Sequence, residues 1–242
     1  MRGDRWINGI VPYTIDPKFN STERALISKA FKEYANKTCI RFVPKTNQHS
    51  DYVDIQLDNK ECGLSNICRN GGKQFAKIGR QCMNLNTILH ELGHSICLAH
   101  EHTRMDREDF IELTNKSDKN DRNNQVGDWR FTTLGLLYDY ESVMHYDCPY
   151  FFKPKSAATI NCGKTERLSV LDAEKINSLY ECEGKIFMDH SRIIGFDWKF
   201  YSCIFKQAAI PTDSVDLNTL ETASQVWATT WMQKSWAFVV AT

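Results

Sequence analysis

The sequence predicts an α+β domain, on three observations. Val53 to Leu57 alternates apolar and polar residues, the period of a half-buried strand. Leu26, Ile27, Ala30, Phe31 and Tyr34 repeat instead with a helical period. Further on, His90-Glu91-Leu92-Gly93-His94 sets two imidazoles four residues apart, a spacing that a helix stacks on one face. A chain of 242 residues with 42% hydrophobic content has enough material for one such core and an appendix.

The elements follow in order. Pro12 to Ile15 and Ile40 to Val43 read as strands on either side of a helix that starts near Thr22. Val53 to Leu57 is the next strand. Gln74 to Ile78, after Gly71-Gly72, reads as an edge strand, with backbone N–H and C=O groups left free for pairing. Asn86-Thr87 is expected to open the helix that carries the two imidazoles. Residues 108 to 135 are polar, with Asn and Asp clusters, and read as the loop-rich half of a domain divided by a cleft. Ser169-x-x-Asp172 resembles a capping box and starts a last helix through Tyr180. Residues 1–182 are taken as one domain. Residues 183–242 form a tail with one cysteine, four tryptophans and no motif.

The chemistry sits in residues 90 to 101, His-Glu-Leu-Gly-His-Ser-Ile-Cys-Leu-Ala-His-Glu. Neutral imidazole is a good zinc ligand, and two converging rings supply half of a tetrahedral site. Glu91, beside the first ring, is placed to reach a metal-bound water without being a ligand, where a general base belongs. On a continuing helix, His100 would be rotated about 240° from His94 and could not join them. The spacing therefore predicts a helix that stops after about residue 96, a sharp turn, and a third imidazole, with one coordination position left open.

The motif resembles the metzincin pattern, except that Cys97 stands where that pattern usually has glycine. The continuation Glu101-His102-Thr103-Arg104-Met105-Asp106-Arg107 narrows the resemblance to the astacin family of secreted zinc endopeptidases. Ser142-Val143-Met144-His145-Tyr146 is similar to that family's Met-turn and its tyrosine. Trp6 to Ile15 and Thr38 to Pro44 look like its opening strands, and Ile176 to Cys182 like the end of its catalytic domain. The resemblance implies a metzincin-like fold in two subdomains, with a mixed sheet and zinc helix above and a loop-rich lower half ending in a helix. It implies one catalytic zinc held by His90, His94 and His100, with Tyr146 able to bind the metal at rest and to swing off to stabilise an oxyanion. Glu91 is then the general base, Met144 the floor under the metal, and Glu101 the carboxylate that binds a new N-terminal ammonium. An extended protein or peptide substrate would lie along Gln74–Ile78. Arg167 falls where the family places determinants of the pocket beyond the scissile bond, though an ordinary surface arginine fits as well.

The resemblance also pairs Cys39 with Cys182 and Cys62 with Cys82. Cys68, like Cys97, stands where the family usually carries glycine. A Cys68–Cys97 disulfide bracing the turn is one reading and two free thiols another. Cys148 and Cys162 flank one loop and suit a local bridge, which leaves Cys203. Nine cysteines point to an oxidising compartment, and three sequons, at Asn20, Asn36 and Asn115, suit a secreted glycoprotein. Thirty basic and thirty acidic residues balance, so nothing advertises nucleic acid as a partner. No membrane span is expected, and a monomer is. The rival function is a binding protein on a retained protease fold, disabled by Cys97 or by a shortened N-terminus.

Overall fold

In the computed structural model, residues 4–114, 133–148, 150–155, 162–163 and 165–183 are described. Five strands form one mixed sheet in the order β2-β1-β3-β5-β4. They are β1 (Ile10–Ile15), β2 (Arg41–Pro44), β3 (Tyr52–Asp58), β4 (Gly63–Ser65) and β5 (Lys73–Gly79). The first three and β5 pair in parallel, and β4 alone runs antiparallel, against β5.

Helix α1 (Ser21–Lys37) begins at a capping box. Asn20 Oδ1 accepts the Glu23 N–H at 2.9 Å, and Glu23 Oε2 accepts the Asn20 N–H at 2.7 Å. Ile27, Ala30 and Tyr34 lie on its buried face, as the helical stripe anticipates, and Phe31 stacks on Phe42 of β2 at 4.6 Å. Helix α2 (Leu85–Ser95) buries Ile88, Leu89 and Leu92 in the same core as Val53 and Ile55 of β3 and Ala76 and Ile78 of β5. Helix α3 (Val170–Tyr180) starts at the Ser169–Asp172 capping box, and a Cys39–Cys182 disulfide anchors its far end beside β2. A second, smaller core gathers Ile111, Tyr138 and Phe152.

The sequence reading needs three corrections. Gln74–Ile78 is not an edge. β5 is hydrogen-bonded to β3 on one side and β4 on the other, and the free edge on this side is β4. Three residues beginning with glycine give too little alternation for a strand to be read there. Helix α2 opens at Leu85 rather than at Asn86-Thr87, because Asn84 Oδ1 caps the Thr87 N–H. Asn86 turns away instead, donating to the carbonyls of Gly163 and Thr165. Within the polar stretch 108–135, Ile111–Leu113 forms a strand, β6, that pairs antiparallel with β7 (Phe152–Pro154). Asn115, Cys203 and the tail beyond residue 183 lie outside the described residues.

Candidate metal centre and active site

Helix α2 ends at Ser95, and Cys97, at φ 77°, turns the chain so that residue 100 comes back under the helix. The last carbonyls of a helix have no partners within it and need others. Here the Trp6 indole N–H donates to Ser95 O at 2.7 Å, and the Cys68 and Cys97 N–H groups both donate to His94 O at 2.9 Å. Cys68 also has positive φ, 62°, and is disulfide-bonded to Cys97. The two residues in place of glycine therefore both sit where glycine is favoured, and a covalent link holds both there.

The turn delivers the third imidazole. His90 Nε2 and His94 Nε2 lie 3.0 and 3.1 Å from His100 Nε2. His90 Nδ1 lies 2.7 Å from Val143 O, and His94 Nδ1 lies 2.8 Å from Leu98 O. A carbonyl only accepts, so both Nδ1 atoms carry the hydrogen and both Nε2 atoms present lone pairs to the centre. The single hydrogen of His100 cannot satisfy both, whereas a divalent cation satisfies all three nitrogens. Burial lowers the pKa of His90, of His94 to about 3, and of His100 well below the usual value. The rings are thus held neutral, as metal ligation requires. Three neutral imidazoles with an open side fit zinc.

Glu91, one residue into the motif, is 5% exposed. Burial pushes its carboxyl up to about 7. Its Oε2 is buried and has no hydrogen-bond partner among the described residues. Strand β4 comes so close that a Cβ on Gly63 would fall 2.0 Å from Glu91 Oε1. Met144 is buried beneath α2, and its sulfur would lie 2.7 Å from a Cβ on Gly93. Half-buried Tyr146 places its ring centroid 4.7 Å from that of His100 and 6.2 Å from that of His90. His102, whose ring stacks on His100 at 4.9 Å and lies tilted against Tyr146 at 4.1 Å, accepts the Tyr146 N–H on Nδ1 at 3.3 Å.

The Met-turn hangs on a residue that the sequence marked only as a helix cap. Asp172 Oδ1 accepts from the Ser142 hydroxyl at 2.6 Å, and Oδ2 accepts from the Val143 N–H at 3.0 Å as well as from the Ser169 N–H. Ser142 Oγ in turn accepts the Met144 N–H at 3.0 Å. Nothing in linear spacing shows this role, nor the Trp6 cap, nor Gly63 against Glu91, because each joins segments far apart in the chain.

Glu101 is 1% exposed and fully engaged, by Arg104, by the Asp139 N–H and by Lys175. Arg167 is exposed, ahead of the start of α3. Four disulfides are present among the described residues: Cys39–Cys182, Cys62–Cys82, Cys68–Cys97 and Cys148–Cys162.

A helix bearing two of three converging imidazoles, a turn that returns the third and a methionine buried beneath the helix together give the architecture of a metzincin-type domain. The chain belongs to the astacin family of peptidases, whose sequence profile matches residues 1–181. It is 40% identical over 209 residues to zinc metalloproteinase nas-8 of Steinernema carpocapsae, which covers 81% of this chain and 49% of that protein. It is 34% identical over 192 residues to zinc metalloproteinase nas-4 of Caenorhabditis elegans, covering 74% and 60% respectively. The chain thus spans about half to three fifths of the length of these relatives. Among solved structures it is similar to high choriolytic enzyme 1, a hatching enzyme zinc-protease from Oryzias latipes. The match has a TM-score of 0.65 and 31% identity, over 74% of this chain and 94% of that one. Myroilysin, at 18% identity and a TM-score of 0.54, shares the fold.

Proposed function

We propose that this chain is a secreted, monomeric zinc endopeptidase that hydrolyses internal peptide bonds of extended protein or peptide substrates. The observation that carries the proposal is the convergence of three Nε2 atoms beside a buried carboxylate with an unpartnered oxygen. His90, His94 and His100 would hold one zinc ion, with Tyr146 at its open side. When bound, zinc would supply Lewis acidity that makes water nucleophilic at neutral pH and polarises the scissile carbonyl. Glu91 would take the proton from the attacking water and pass it to the leaving amine, a task suited to a carboxyl raised by burial. The Tyr146 phenol would donate to the developing oxyanion. The substrate would pair with edge strand β4 rather than β5, running next to Glu91.

Residues 1–182 would form the catalytic domain and 183–242 an appendage. Asn20 and Asn36 are exposed and would serve as glycan acceptors. Among the described residues no helix is long and apolar enough to cross a membrane. The return of His100 to the site, with Cys97 clamped in its turn, supports the enzyme over the disabled binding protein.

The test is hydrolysis of a quenched mixed-peptide library by the oxidatively folded full chain. Cleavage abolished by chelator, restored by zinc and absent in Glu91→Ala is the expected result. A folded, zinc-loaded chain that cuts nothing would overturn the proposal in favour of the binding protein.

A further inference from the structure

Glu101 follows the third imidazole directly, and its own N–H donates to Met144 O at 3.0 Å. The residue therefore joins the ligand turn to the Met-turn through its backbone. A carboxylate at 1% exposure needs counter-charge and hydrogen bonds on both oxygens. Arg104 gives Oε1 one N–H at 2.9 Å, but commits Nε and Nη2 to Asp106 at 2.9 and 2.8 Å. Its charge is thus shared between two carboxylates. The Asp139 N–H completes Oε1 at 3.0 Å. Oε2 is left to Lys175 Nζ, at 2.5 Å, from a side chain only 15% exposed.

Lys175 stands one turn after Asp172 on α3, on the same helix face. One end of α3 thus grips the Met-turn through Asp172 and the third-ligand segment through Lys175. We propose that Lys175 is a positioning residue of the metal centre, acting through Glu101 as its internal counter-ion. The effect on catalysis rests on the peptidase reading; the effect on metal retention does not.

The experiment compares the zinc-loaded wild-type chain with Lys175→Met, Lys175→Arg and the double variant Glu101→Gln/Lys175→Met. The readouts are the rate at which excess chelator strips zinc, the melting curve, and kcat and KM on a peptide substrate. Lys175→Met is expected to lose zinc at least about tenfold faster, since it strands a buried charge. Its kcat should fall while KM stays within about twofold. Lys175→Arg should retain zinc. The double variant, with the stranded charge removed, should regain most of the retention, as a pairwise cycle requires. If Lys175→Met fails to fold while the double variant folds, the counter-ion role stands; if neither folds, it falls. Wild-type zinc retention in Lys175→Met overturns the proposal. Wild type that holds zinc but cuts no peptide overturns only the peptidase reading.

Discussion

Glu91 and Gly63 form a pair in which one residue's missing side chain sets the other's position. With 2.0 Å between a hypothetical Cβ and Oε1, Gly63→Ala must displace something. The carboxylate is the far end of a flexible side chain, so it moves and the strand stays. The expected outcome is a fall in kcat of about 10–100-fold, the scale of misplacing a reacting group by about an ångström. The melting temperature should stay near wild type, checked by calorimetry on the same preparation; unchanged kcat would mean that the carboxylate had room. Removing the base outright, as Glu91→Gln, should lower kcat by about 10²–10⁴-fold without loss of zinc, measured by turnover alongside metal analysis. At this scale the convergence of the three imidazoles was legible, because rings at i and i+4 with a third at i+10 leave one workable geometry. Gly63 was not, since its importance lies across a strand–helix contact that spacing does not encode.

Helix α2 depends on how its last turn is closed, and the Cys68–Cys97 link does much of the closing. The bond spans 29 residues, for which loop entropy gives about 3–4 kcal/mol. Cys68→Ser/Cys97→Ser should lose about that much in urea unfolding, since it keeps two side-chain-bearing residues at positive φ. Cys68→Gly/Cys97→Gly should lose less, by about 1 kcal/mol or more, because glycine relieves that strain. Equal losses would show that φ strain plays no part. The stop after Ser95 was readable from the position of His100 alone. The edge strand was misread because β5 carries the stronger alternation, as an interior strand with one face on the helices should. The capping box found Asp172 but gave only half its work, since its grip on Ser142 and Val143 appears only once α3 packs against the Met-turn.

Across the whole molecule, buried titratable groups pull stability in opposite directions with pH. His94, held at about 3 against 6.5 unfolded, takes up fewer protons folded than unfolded, so its contribution is lost as pH falls below 6.5. Glu91 and Asp139, both raised to about 7, do the reverse: their contribution is present at acid pH and is lost as pH rises through 7. A difference measurement separates them. Metal-free His94→Gln should gain on metal-free wild type by about 1.4 kcal/mol per pH unit below 6.5, read from urea midpoints at several pH values. A gap that does not widen would mean that His94 is not held neutral. Two anchors of the site, Asp172 and Lys175, and the disulfide partner Cys182 all follow His100 by more than seventy residues. On the ribosome the three imidazoles emerge well before the helix that props up their floor, a lag of several seconds at ~5–20 residues per second. The three imidazoles are thus made before the props that order the segments around them, and the site is finished only when the last helix docks.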